Sequence, residues 1–211
     1  MLDLDILLKG NIQRIAWTDR YSSFLRLKNE NVAEHTCFVT MYAYLIALDM
    51  EYQFPGVGVD KLTLFRRAIN HDIDEAISGD INRPFKKGYP GLNSMIKEAC
   101  KILLLPTLGK LSSCPEVMER LIEDMDKGKD KSLEGYILCL ADFMSVVSYL
   151  ISEKRRGSTA IIEDFEKSNK DIESLFLGLS GDMARVLNPY VERLNEIIHR
   201  ELTEKLTLRT K

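Results

Sequence analysis

Histidine is scarce in this chain: three in 211 residues, His35, His71 and His199. Any imidazole chemistry has to draw on those few positions. Cysteine is almost as sparse, with Cys37, Cys100, Cys114 and Cys139 far apart in largely apolar stretches. No pair has zinc-ligand or redox spacing, which excludes a thiolate zinc site and a dithiol motif and predicts buried, reduced thiols. A basic excess is missing too. Lys and Arg total 29 against 32 Asp and Glu, for a net charge of -3. That argues against nucleic acid as the main partner, while leaving room for a small anionic substrate held by local arginines. No apolar run is read as long enough to span a bilayer, and Met1 to Leu8 carries Asp3 and Asp5 in place of a basic leader. The expectation is a cytoplasmic protein with no membrane partner. Repeats, low-complexity tracts and β-alternation are absent as well. Hydrophobic content of 45% with 29% charge fits a globular profile, and the length predicts one domain over residues 1–211.

What remains is helical periodicity throughout. Leu2 to Ile15 has helical spacing with a weak break at Gly10, and Trp17 to Ser23 reads as a loop. Asn31 is placed as an N-cap with Glu34 three residues on, opening a helix that carries His35. Asp60 caps the next helix, which leads into His71. Ile81 to Gly91 reads as an irregular basic loop, either a mobile lid with phosphate donors or a solvated linker. Helices follow over Leu92 to Leu105, stopping at Pro106, and from Ser113 to Met125. Ser132 to Ser152 is apolar nearly all round and should be buried. Ser158 to Leu177, Asp182 to Leu187 and Pro189 to about Leu206 complete the set. The pattern predicts an all-α fold, a bundle-like single domain of about seven to nine helices.

Two stretches carry possible chemistry. From His71 to Asp80 one imidazole and four carboxylates fall within ten positions, following an apolar run of helical spacing. Glu75 lies four residues after His71 and three after Asp72, so on a continued helix all three can project to one side. Such a cluster repels itself unless a cation sits in it. A divalent metal held by imidazole and carboxylate satisfies that need; an acidic, solvated helix end is the alternative. Asp142 is the second feature, a carboxylate in the middle of the most apolar helix. It needs an arginine, several donors or a metal to offset burial. His35 by itself reads equally as a core histidine, and Arg20 with its aromatic neighbours reads either as an anion grip or as aromatic packing under a surface arginine. His199, among charges, reads as a surface residue.

Taken in order, His35, His71-Asp72 and Asp142 resemble the signature of HD-domain metal-dependent phosphohydrolases. Arg20-Tyr21, Glu30-Asn31-Val32-Ala33-Glu34-His35, His71-Asp72 with Glu75, Gly79-Asp80, Pro84 with Lys86, and Ala141-Asp142 are similar to the bacterial 5′-deoxynucleotidase branch, over roughly residues 12–150. The resemblance implies that His35, His71, Asp72 and Asp142 ligate one divalent ion per chain: Co, Mn, Zn, Fe or Mg, which the sequence does not distinguish. It implies that Glu75, with Asp72, serves catalysis by orienting or deprotonating the attacking water. It implies that Arg20 holds the substrate phosphate, with Tyr21 beside it, and that Asp80, Ile81, Asn82, Arg83 and Lys86 line the nucleotide site, Asp80 near the sugar. The branch usually has Trp where this chain has Tyr21, which bears on how the phosphate is placed. The implied reaction is hydrolysis of deoxyribonucleoside 5′-monophosphates to deoxynucleoside and phosphate, by a homo-oligomer, a dimer or higher. Related phage enzymes sharing these motifs release triphosphate from deoxynucleoside triphosphates, so that activity stands as an alternative. A non-catalytic nucleotide- or partner-binding helical domain is the second; Glu75 weighs against it, because a purely structural metal clip does not need that carboxylate.

Overall fold

In the computed structural model, residues 2–9, 11–108, 112–160, 162, 176 and 179–203 are described. The architecture is all-α. Helix α1 spans Leu4–Lys9 and is followed by a 3-10 turn, Asn11–Ala16. Helix α2 is Val32–Gln53, α3 Lys61–Asn70, α4 Glu75–Ser78 and α5 Arg83–Gly88. Helix α6 is Leu92–Leu108, α7 Pro115–Asp126, α8 Leu133–Arg156 and α9 Gly181–Ile198, which runs into a π-helical turn, His199–Thr203. Among the described residues there is no strand, only the isolated bridges Leu2 to Ser112 and Asp19 to Asn31.

The long helices start where capping chemistry puts them. Asn31, Asp60 and Ser132 each accept a backbone N–H from three residues on, Glu34, Thr63 and Gly135. This satisfies one of the donors that a helix start leaves free. Helix α8 ends at Gly157, whose φ of 99° is a left-handed conformation that glycine adopts without strain.

Helices α2 and α8 pack together at the centre, with α3 against both and α9 against α8. The core joins Val39, Ala43, Ala47 and Met50 of α2 and Leu64 and Ala68 of α3 to Ile137, Leu138, Ala141 and Leu150 of α8 and Val186 and Leu187 of α9. Fully burying one such leucine contributes about 1.5–3 kcal/mol. By length and composition α8 could cross a bilayer, contrary to the sequence reading, but 56% of its apolar window is buried against the other helices. It is the core helix that its all-round apolarity predicts.

Several boundaries differ from expectation. Helix α6 passes Pro106 and continues to Leu108. Helix α9 passes Pro189 as one rod, because Val186, Leu187, Leu194 and Ile198 lie on one buried face across it. Packing of that face outweighs the local cost of proline. Cys114, not Ser113, occupies the N-cap of α7. The basic segment after Asp80 forms α5, capped by Asn82, instead of an irregular loop. Cys100 is buried and Cys139 half-buried, but Cys37 and Cys114 are exposed; none of the four forms a disulfide. His199 is exposed as expected. The helix expected over Ser158 to Leu177 and the end of the last helix fall largely outside the described residues.

Candidate metal centre and active site

The chain turns sharply where chemistry is densest. Helix α3 stops at Asn70, His71 is its C-cap, and a turn over His71 to Asp74 leads into α4, which begins at Glu75. The expected uninterrupted helix is therefore corrected. Adjacent residues on a helix do not face one another, so a regular helix would aim His71 and Asp72 apart. The break turns both toward His35, which projects from α2.

Three donors converge: His35, His71 and Asp142 each offer a ligand atom within 4.8 Å of the others. His35 Nε2 lies 3.0 Å from Asp142 Oδ1 and 3.4 Å from His71 Nε2. Asp72 Oδ2 joins them, 3.1 Å from His71 Nε2 and 3.6 Å from His35 Nε2. Bonds of about 2.0–2.2 Å to a single cation put neighbouring ligand atoms roughly 3.0–3.5 Å apart. The spacing fits that requirement, and a mixed set of two imidazoles and two carboxylates suits a divalent cation. The other ring nitrogens are occupied. His71 Nδ1 is 2.7 Å from the Ala68 carbonyl, to which only a protonated nitrogen can donate, and His35 Nδ1 is 3.0 Å from Ser145 Oγ. Both contacts leave Nε2 as the ring atom available to a cation. Burial, followed by the positive charge of Arg20, pushes the His35 pKa down to about 4, so this ring is neutral at physiological pH.

Cations flank the cluster. Lys129 Nζ reaches Asp142 Oδ2 at 2.5 Å. Burial opposes ionisation of Asp142, but Lys129 and the histidines hold its carboxyl well below the usual range. The connection carrying Lys129 is itself fixed: the Arg67 guanidinium grips Asp130 at 3.0 and 3.1 Å. On the other side, Lys86 of α5 donates to Glu75 Oε1 at 3.2 Å. Glu75 is buried, and its Oε2 has no hydrogen-bond partner. Burial, then the negative charge of Asp72, pushes its pKa up to about 8.

Arg20 sits on a loop whose ends are tied together. Its N–H donates to the Glu30 carbonyl at 2.8 Å, and the Val32 N–H donates to the Thr18 carbonyl at 3.0 Å. The guanidinium is buried, 3.5 Å from Glu30 Oε2, and donates through Nη2 to Tyr21 Oη at 3.3 Å. Nε and Nη1 have no hydrogen-bond partner. Although burial works against the charge, Tyr21, Asp72, Glu30 and Asp142 raise the Arg20 pKa above its ordinary value. Tyr21 itself has φ of 56° and donates its N–H to Asp80 Oδ2 at 2.7 Å.

The residues expected to line a nucleotide site thus have observed partners. Asp80 fastens the Arg20 loop. Asn82 caps α5 and donates to Ser23 Oγ at 3.1 Å. Ile81 is half-buried, and Lys86 pairs with Glu75. Arg83 opens α5, and its side chain lies outside the description. Sequence reasoning missed Lys129 and Ser145, which the fold sets against Asp142 and His35. Ser145 was within reach, since it is three residues from Asp142 and shares its helix face; Lys129 gave no spacing signal.

Comparison with known proteins gives the chain a family and a fold relative. Residues 9–186 match the family model described as 5′-deoxynucleotidase YfbR-like. The chain is 28% identical to a 5′-deoxynucleotidase of Photorhabdus laumondii, over 71% of this chain and 74% of that one. It is 30% identical to a 5′-deoxynucleotidase of Erwinia tasmaniensis, over 70% and 78%. Among solved structures, an HD-domain phosphohydrolase from Listeria innocua superposes with a TM-score of 0.70 at 22% identity, covering 92% of this chain and 88% of that one. At that identity the likeness speaks for the fold.

Proposed function

Because the chain belongs to the YfbR-like 5′-deoxynucleotidase family, we propose that it is a metal-dependent phosphohydrolase converting deoxyribonucleoside 5′-monophosphates to deoxynucleoside and phosphate. The observation that carries this reading is Arg20, a buried guanidinium whose Nε and Nη1 have no hydrogen-bond partner, in the field of Asp72 and Asp142. Buried donors without partners are rare, and a phosphate would satisfy both in the fork geometry that guanidinium favours.

His35, His71, Asp72 and Asp142 would hold one divalent cation. When bound, it supplies Lewis acidity toward the phosphoryl oxygens and toward water. Glu75 takes the proton of the attacking water at Oε2, while Lys86 holds Oε1. Its pKa near 8 without a cation falls beside a dication, which brings the carboxylate form into use at neutral pH. Arg20 holds the phosphate and stabilises charge on its oxygens in the transition state.

The monophosphate is favoured over the triphosphate because Lys86 is committed to Glu75. Residues 1–211 are taken as one HD domain, acting in the cytoplasm. A second copy of the chain is the proposed partner. Phe38, Met41 and Leu45 form an exposed apolar stripe on α2, and Leu62 and Ile69 another on α3, linked by the Tyr44 and Phe65 ring contact at 5.6 Å. Exposed apolar side chains grouped on one face suit an interface with another copy. The function is tested by offering the purified protein the mono- and triphosphates of the common ribo- and deoxyribonucleosides and identifying products. Phosphate from deoxynucleoside monophosphates is expected. Faster release of triphosphate from a deoxynucleoside triphosphate would overturn the reading.

A further inference from the structure

Helix α8 does more than deliver Asp142. The residues at 142, 145, 149 and 153 fall at intervals of three and four, so they share one face. Asp142 belongs to the donor cluster and Ser145 contacts the His35 ring. Two turns on, the same face meets the loop that carries Arg20.

The contacts there are numerous. The Tyr149 ring stacks on Tyr21 with centroids 4.8 Å apart and planes 14° from parallel, and its hydroxyl donates to the Lys28 carbonyl at 2.7 Å. Glu153, almost wholly buried, accepts the backbone N–H groups of Leu27 and Lys28 at 2.6 and 2.9 Å. Ser158, just past the helix, donates to the Leu25 carbonyl at 3.3 Å. A buried carboxylate that satisfies two backbone donors of a remote loop is a strong, charge-assisted clamp. The loop is otherwise irregular, with Leu25 and Leu27 exposed on it; within it Phe24 packs on the core and Arg26 donates to the Arg20 carbonyl at 2.6 Å and to Asp19 at 2.7 Å, and the contacts to α8 fix where it sits along that helix.

We infer that Tyr149 and Glu153 are positioning residues for the phosphate grip, with α8 serving as one rigid ruler that sets the metal-ligand Asp142 and the Arg20–Tyr21 loop in register. The inference rests on the reading that Arg20 binds the substrate phosphate. Tyr21 transmits the constraint, because it lies on Tyr149 and its hydroxyl accepts from the Arg20 guanidinium. Misplacement of a binding group by about 1 Å can cost up to a hundredfold in rate, so slackening the clamp should be visible in kinetics while the metal ligands stay in place.

The test is a double-mutant cycle. Glu153→Gln and Tyr149→Phe are each made in the wild-type and in the Arg20→Ala background. The kcat/KM for the deoxynucleoside 5′-monophosphate turned over fastest is measured, together with metal content. Glu153→Gln is expected to lower kcat/KM by roughly tenfold or more in the wild-type background and by less than about threefold in Arg20→Ala, with metal content unchanged. Tyr149→Phe keeps the ring stack and loses only the Lys28 contact, so a smaller loss is expected, again absorbed by Arg20→Ala; it carries the test if Glu153→Gln does not fold. Equal losses in both backgrounds, or none in the wild type, would overturn the inference and leave Glu153 a general structural clamp. Wild-type kinetics in Arg20→Ala alone would instead remove the phosphate assignment beneath it.

Discussion

Replacing Glu75 with glutamine separates what this carboxylate does from what it costs. The group is 6% exposed, one oxygen is held by Lys86 and the other has no partner. Burial and the Asp72 charge move its pKa from 4.5 to about 8. An unfolded chain releases this proton near the ordinary value, whereas the folded chain keeps it until about pH 8. Between those values the folded state binds more protons. The stability contributed by this group is therefore complete at acidic pH and lost as pH rises through the folded value. At about 1.4 kcal/mol per unit, the full loss is on the order of 5 kcal/mol in metal-free protein. Glutamine cannot ionise, so the variant escapes this loss. Even a quarter of it, about 1 kcal/mol, corresponds to roughly 2–4 °C in Tm at this chain length.

The assay is thermal unfolding of chelator-treated wild type and Glu75→Gln at pH 5.5 and pH 9. Wild type should lose more Tm across the interval. With metal restored, Glu75→Gln should keep the cation and lose about 10²-fold or more in turnover, the scale of a positioned general base. Parallel Tm profiles would refute the argument from burial, and unimpaired turnover would refute the role of Glu75 as base.

Further outcomes follow from the same geometry. Arg20→Ala should lower kcat/KM by about 10²-fold or more in steady-state assays, since two charge-assisted bonds of about 1.5–3 kcal/mol each are lost. Asp142→Ala should drop the metal, from about one ion per chain to well below that by elemental analysis. Because Asp142 is a half-buried carboxylate that both Lys129 and the buried His35 ring contact, the chelator-treated variant should also unfold at lower temperature than wild type, the direction the sequence suggested. His35, with its pKa lowered from 6.5 to about 4, binds fewer protons folded than unfolded across that range. The stability it contributes is present above 6.5 and lost as pH falls toward 4. His35→Gln should flatten the acid limb of a chelator-treated denaturation profile.

Much of the helical frame was legible because local chemistry and global packing agree in it. The caps Asn31, Asp60 and Ser132 stand where α2, α3 and α8 begin, and the apolar spacing of α8 matches its central place. Boundaries went wrong where tertiary contacts override local preference: Pro189 lies within a rod whose apolar face is buried on both sides of it, and the basic run after Asp80 condenses into α5. The donor set was readable because histidine is so scarce and the motif order so specific. The supporting residues were not. Glu153 meets Leu27 and Lys28 across 126 and 125 residues of chain, and no periodicity encodes such a meeting. Lys129 is one lysine among several in a charged connection, and only the folded path sets it against Asp142.

The distribution of cations bears on the length of phosphate chain the site accepts. Asp142 has Lys129, Glu75 has Lys86 and Glu30 has Arg20, and these partners come from three separate segments. The pairings differ in kind. Lys129 and Lys86 each touch a carboxylate within hydrogen-bond reach, whereas Arg20 stands 3.5 Å from Glu30 with Nε and Nη1 still unpartnered. A β- or γ-phosphate recruiting Lys86 would strip the counter-charge from Glu75 and raise a pKa that burial has already raised, disarming the base proposed for the reaction. A single phosphate on Arg20 makes no such demand. On the proposed reading it would meet donors that are buried, without hydrogen-bond partners and in the field of Asp72 and Asp142, so the arrangement would be at its most economical with the monophosphate.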